Sequence, residues 1–179
     1  VIAGADPDTY QILNSSYAKD STSVFYKHNK IVGAHSPSFT LLSGSMWYGK
    51  DANAVYAWGS LIVGANPSTF QVIDTSYSKD DDQAFYRGGE IVEAHAASFQ
   101  SMGKALYAKD AYRIYYSGGV IQGANPLTFE FLMGNYAKDD NQAFFRKDEI
   151  IEAHLPSFVV TSIANAHDKY RTYIWWIPQ

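Results

Sequence analysis

Tyr17-Ala18-Lys19-Asp20 is a tetrad that this chain repeats. It returns as Tyr48-Gly49-Lys50-Asp51, Tyr77-Ser78-Lys79-Asp80, Tyr107-Ala108-Lys109-Asp110 and Tyr136-Ala137-Lys138-Asp139. The steps from Asp to Asp are 31, 29, 30 and 29 residues, and a degenerate copy follows 29 residues later at Asp168, with Asn165 in the Tyr column. Self-similarity at such a period marks an array of small supersecondary units that bury their apolar faces against one another.

Further columns align on the Asp. Five residues after it stands an aromatic: Phe25, Tyr56, Phe85, Tyr115, Phe144 and Tyr173. Eleven after it stands Ile31, Ile62, Ile91, Ile121 or Ile150; fourteen after it, Ala34, Ala65, Ala94, Ala124 or Ala153; nineteen after it, Phe39, Phe70, Phe99, Phe129 or Phe158. Ile2, Ala5, Pro7 and Tyr10 continue these columns at the N-terminus, so the chain amounts to about six units. With no linker or low-complexity break between units, residues 1–179 read as one domain.

Each unit predicts three short strands rich in aromatic and β-branched residues: one ending in the tetrad (Ser45–Lys50), one aromatic (Ala84–Tyr86), and one of the Ile-Val-Gly-Ala type (Leu61–Ala65, Ile150–Ala153). The Asp and the polar residues behind it form an Asx-type turn. Pairs such as Gly88-Gly89 and Gly118-Gly119 suit tight hairpins. Prolines end the third strand, and the Phe behind them is a recurring core plug. No stretch sustains a helical period. The fold class is all-β.

A longer period overlies the first. Fifteen residues after the Asp the chain reads His35, Asn66, His95, Asn125, His154, with Asp6 in that column at the N-terminus. The aromatic column alternates Phe and Tyr in step, and the proline shifts by one position. The true repeat is a pair of units of roughly 59 residues. An open or curled array is expected, since about 30 residues is short for a four-stranded blade; the alternative is a closed six-unit, propeller-like ring.

Composition bounds the function. Of 179 residues 46% are apolar, 16% aromatic and 18% charged, enough to bury a core. A net charge of −4 argues against general nucleic-acid binding. No apolar run is long enough to span a bilayer. There is no cysteine, which removes disulfides, thiolate metal sites and cysteine nucleophiles. Because the chain begins at Val1, any targeting segment is expected to lie outside it.

A single active site needs a unique constellation, whereas here each candidate recurs. Lys and Asp of one tetrad point to opposite faces of a strand and form no dyad. They read as a solvated Lys beside a turn-forming Asp. No Gly-x-Ser-x-Gly elbow occurs. Enzyme activity is therefore not expected, nor is a bound cofactor. His35, His95 and His154 would form a metal site if alternate units converged, with Glu93 and Glu152 two residues ahead of two of them. The competing reading is a turn cap, since Asn and Asp share the column. Asp80-Asp81-Asp82 and Asp139-Asp140 are acidic turns that could face a partner. Trp175-Trp176 would anchor an interface if exposed and otherwise close a final strand.

Tyr17–Asp20 with Val24-Phe25-Tyr26, Tyr77–Asp80 with Ala84-Phe85-Tyr86, and Tyr107–Asp110 with Ile114-Tyr115-Tyr116 resemble the DKNYY family of bacterial repeat proteins. So do the Gly-Ala-Asp/Asn-Pro-x-Thr-Phe elements at Gly4–Tyr10, Gly64–Phe70 and Gly123–Phe129. The Asp-Lys order itself occurs only at Asp168-Lys169. The resemblance implies a periplasmic or extracellular bacterial setting and supplies no catalytic residues. The expectation is a non-catalytic protein-binding module, in its narrowest form an immunity protein that neutralises a secreted toxin. The alternatives are a carbohydrate or cell-envelope binding module, and a metal-binding protein using the three histidines.

Overall fold

The structure is a computed structural model and describes residues 2–43, 45–103 and 106–174. Those residues hold 23 short strands, three single-turn 3-10 helices and no α-helix. In the first sheet β1 (Gln11–Ile12), β2 (Tyr17–Lys19), β3 (Val24–Tyr26) and β4 (Asn29–Lys30) pair antiparallel in chain order. Four more sheets repeat this meander and a sixth shows its first three strands, Val159–Val160, Asn165–His167 and Thr172–Ile174. The register repeats as well: Tyr17 faces Tyr26 and Lys19 faces Val24, just as Tyr107 faces Tyr116 and Lys109 faces Ile114.

Each sheet uses only consecutive strands, so no strand is exchanged between units. Residues 2–10 form no strand; they dock on the first sheet, where the Asp6 amide donates to Asp20 Oδ2 at 2.9 Å. The strand exchange that ring closure requires is thus absent among the described residues, and the units stand in tandem.

The third predicted strand is displaced. Its place is taken by β4, which ends before the Ile column. Ile31 donates its amide to Val24 at 2.8 Å and buries its side chain. Then Ile31 to Ala34 form a β-turn with Gly33 at φ +84°. An apolar run there looks like a strand, but its first residue and the Ala that ends it face the core while the residue between, such as Val32, is exposed. The two-residue strand behind each Phe, or behind Tyr10 for β1, has too little pattern to be legible. The hairpin between β3 and β4 turns at Lys27-His28, one residue earlier than the Gly-Gly pairs suggest. In the second unit both turn residues, Trp58 and Gly59, have positive φ (51° and 78°), as a tight primed turn demands.

Two compact units divide the chain, Val1–Ala97 and Ser98–Gln179. In the first, Tyr17, Val24, Ile31, Phe39 and Tyr56 make one buried cluster, and Tyr48, Val55, Ile62, Phe70 and Phe85 make the next. In the second, Tyr107, Ile114, Ile121 and Phe144 correspond, followed by Tyr136, Ala143, Phe145, Ile150 and Phe158. The Phe plug joins units: Phe39 lies 5.7 Å from the Tyr17 ring of its own unit and 5.9 Å from the Tyr56 ring of the next. Phe70 repeats this between Tyr48 and Phe85, and Phe129 between Tyr107 and Phe144. Burying a side chain of this size stabilises by about 1.5–3 kcal/mol, and offset or tilted ring pairs add to it. This ladder accounts for the aromatic excess.

Candidate functional site

The most recurrent polar residue is the tetrad Asp, and its role is architectural. Asp51 is 4% exposed. Its Oδ1 accepts the amides of Asn53 (2.7 Å) and Ala54 (2.9 Å), closing the turn between two strands. Its Oδ2 accepts the amide of His35 at 2.8 Å from the preceding unit, and the Tyr56 hydroxyl at 3.0 Å. Burial alone would raise the carboxyl; the His35 and Asn53 amides, the Tyr56 hydroxyl and the Ala54 amide together hold it below the usual range. The same clamp joins Asp80 to Asn66, Asp139 to Asn125, and Asp168 to His154. Asp20, clamped by the Asp6, Thr22 and Ser23 amides, is lowered to about 2.

The clamp explains the alternation. Where Asn or Asp occupies the column, its Oδ1 accepts the amide two residues on, as Asp6 does from Asp8 and Asn66 from Ser68. Proline then sits one residue on, where no amide is needed. After His35 and His154 the proline sits two residues on and removes that amide. Those loops form the 3-10 turns Ser36–Ser38 and Leu155–Ser157 instead, with His35 Nδ1 bonded to Ser38 Oγ (2.7 Å) and His154 Nδ1 to Ser157 Oγ (2.8 Å). Tyr accompanies the His loops: Tyr56, Tyr115 and Tyr173 donate to Asp51, Asp110 and Asp168. Phe accompanies the others.

These bonds place the predicted site residues. His35 and His154 are loop caps. No three His, Asp or Glu side chains gather as a metal-ligand set among the described residues. Glu152 pairs with Arg171 at 2.5 Å, and both Glu93 and Glu152 take positive φ in the turn after the Ile column. Asp80 and Asp139 are buried turn formers rather than surface acids, while Asp81, Asp82 and Asp140 are exposed. Asp140 is partly engaged, accepting from Thr128 Oγ1 at 2.7 Å. Trp175 and Trp176 lie outside the described residues. The tetrad Lys is not simply solvated: Lys19 donates to the carbonyls of Ser36 and Phe39, Lys50 to Pro67, and Lys79 to Ala96. The tetrad Tyr staples its unit to the next: Tyr17 donates to Trp47 O at 3.0 Å and Tyr136 to Ala164 O at 3.0 Å. Burial pushes both hydroxyls up to about 12.

What remains at the surface is therefore informative. Val32, Val63, Val92 and Ile151 occupy one column, second in the Ile-started turn, and are 90%, 77%, 70% and 72% exposed. The turn asks for no aliphatic there; Gln122 fills the same place in the fourth unit. A large cleft of about 590 Å³ lies among Ile2, Pro7, Tyr10 and Ile12 of the N-terminal segment and Tyr17 of β2. Its lining repeats columns that the next unit keeps buried under Tyr17 and Val24.

The fold and its surface define an all-β tandem-repeat protein whose polar columns are spent on joining units. The model described as the DKNYY family matches residues 1–59 and 48–175, two segments that overlap at the head of the second unit. The chain belongs to the DKNYY family. Neither the curated proteins nor the solved structures contain a match to it.

Proposed function

We propose that this chain is a non-catalytic binding module that recognises a protein partner through the exposed aliphatic turn residues Val32, Val63 and Val92 of the unit Val1–Ala97. The observation that carries the reading is the recurrence of Val32, Val63, Val92 and Ile151 at strongly exposed turn positions that impose no aliphatic requirement. Repeat arrays offer extended surfaces of this kind. The clamp, staple and plug columns are consumed by architecture, so this column is what the repeats hold in common for contact. The narrower reading, an exported immunity protein that neutralises a toxin, draws on the DKNYY membership and the acidic balance of the chain.

The test is affinity capture with the intact chain and with a variant carrying Val32→Ser, Val63→Ser and Val92→Ser. A partner retained by the first and lost by the second, with thermal unfolding unchanged, supports the reading. Equal retention by both removes these turn residues from it. Inhibition of a co-encoded toxin by the intact chain alone would support the immunity form.

A further inference from the structure

Trp47 and Trp58 pack partly on the core of the second unit, where Ala57 leaves open the ring slot that Tyr26, Tyr86, Tyr116 and Phe145 fill elsewhere, yet much of each indole stays at the surface. In their two columns the other units place Ser16 and Lys27, Ser76 and Arg87, Leu106 and Ser117, Asn135 and Arg146, and Ala164 and Trp175, so only the second column holds a further Trp. Five units therefore fold without a Trp in the first of these columns. Both tryptophans are only half-buried. The Trp58 amide donates to Trp47 O at 2.9 Å, which seats the two residues side by side across the hairpin. The Tyr48 ring, at 5.4 Å from Trp58, backs the indole from the core side.

The two indoles line a cleft of about 510 Å³ together with Thr75, Ser76 and Arg87. This wall has a distinctive chemistry. Ser76 and Arg87 are paired through the backbone, the Arg87 amide donating to Ser76 O at 2.7 Å, which leaves the guanidinium at the surface beside the indoles. Arg87 lies 5.4 Å from the Tyr86 ring, exposed to solvent. The Asp74 carboxylate beside the cleft is engaged by the Ser76 and Tyr77 amides, and Arg87 is the charged side chain of the lining.

We propose that this cleft is a binding subsite for an acidic sugar, a pyranose carrying a carboxylate. The negative face of an indole attracts the slightly positive C–H face of a sugar ring. The Ser76 and Thr75 hydroxyls and the indole N–H groups suit its ring of hydroxyls. Arg87 takes the carboxylate as a bidentate, charge-assisted pair. The site goes beyond the protein-binding reading and uses none of its residues, so either can fail alone.

The experiment is binding of the intact chain to immobilised uronic, sialic and muramic acid glycans and to neutral counterparts of the same rings, followed by solution titration of the best glycan. Binding to an acidic glycan is expected, falling about tenfold or more in Trp58→Ser and in Arg87→Gln, the loss of one well-placed contact. The backbone tolerates Trp58→Ser, because Ser117 holds the same column at nearly the same φ, 50° against 51°, and a thermal melt reads the cost of the ring lost from Tyr48. Trp47→Ser, matching Ser16 and Ser76, is the second variant should the first lose its thermal transition. No binding to any acidic glycan overturns the assignment. So does binding that survives both Trp58→Ser and Arg87→Gln, or a preference for the neutral rings.

Discussion

Replacing Asp51 by Ala isolates what the clamp does. The substitution removes four bonds: those to the Asn53 and Ala54 amides, the His35 amide and the Tyr56 hydroxyl. Asn53 is exposed, so water replaces the carboxylate there at little cost. Tyr56 is 2% exposed and its bond to Oδ2 is buried, whereas the His35 amide makes a part-buried bond to the same oxygen. A buried group left without its partner costs about 1–3 kcal/mol. That one buried hydroxyl, with smaller costs from the part-buried His35 amide and the loosened turn, gives an expected loss of about 2–4 kcal/mol. Asp80→Ala is the internal control. It loses the Asn66, Asp82 and Gln83 amides but no phenol, because Phe85 stands where Tyr56 does. Its expected loss is smaller by about 1–2 kcal/mol. Tyr56→Phe alone should cost about 1 kcal/mol. All three positions lie in the compact unit Val1–Ala97, so one transition reports them. Urea unfolding followed by circular dichroism and by tryptophan fluorescence provides the measurement, with coincident curves required before free energies are extracted. If Asp51→Ala costs no more than the roughly 0.5 kcal/mol of an ordinary surface change, the clamp is not what joins the units. If Asp51→Ala and Asp80→Ala cost the same, the Tyr56 bond has no energetic role.

Gly59→Ala should destabilise by about 3 kcal/mol, since a Cβ there meets Tyr26 Cβ at 2.5 Å in a backbone of φ +78°. Gly88→Ala, with its nearest neighbour at 3.4 Å, should cost only the backbone strain, about 1 kcal/mol; thermal melts of the two variants compare them directly. The depressed Asp20, Asp51 and Asp168 carboxyls contribute stability that is fully present above the unfolded carboxylate range and lost as pH falls through the folded values, about 2 for Asp20. Melting temperature should therefore drop between about pH 4 and pH 2, with a shallower fall in Asp20→Asn; an equal slope in that variant would count against the clamp. At the alkaline end burial holds Tyr17, Tyr56 and Tyr136 protonated up to about 12. Their stability is present below the unfolded tyrosine value near 10 and lost as pH rises toward 12. Phenolate absorbance should thus appear late and together with unfolding, not as an early separate titration.

Much of the architecture was legible because the repeat presents each column five or six times. A single Phe39 predicts little; five phenylalanines at one offset predict a plug, and Phe39, Phe70, Phe99 and Phe158 are buried. The Asx turn at the Asp was legible for the same reason. Its second role was not, because the amide that Oδ2 accepts belongs to a residue 14 to 16 positions earlier and leaves no side-chain signature. The tetrad Lys was misjudged on similar grounds, since its partners are backbone carbonyls. The Ile-Val-Gly-Ala strand failed because strand propensity is indifferent to whether Val32 faces the core, and Gly33 turns it outward. Trp47 was visible in the sequence as a break in its column, and Trp58 as a residue its column shares only with Trp175. A search for what recurs passes over what does not.

The coupling between loop and hairpin sets the quantum in which this architecture can lengthen or shorten. A His loop meets a Tyr hairpin and an Asn or Asp loop meets a Phe hairpin, as His35 with Tyr56 and Asn66 with Phe85. Excising one unit of about 30 residues would bring the wrong loop to every junction it creates. A gene that duplicates or deletes within such an array keeps all its junctions matched only when it moves in steps of two units. Relatives of different length should accordingly differ by multiples of roughly 59 residues rather than roughly 30.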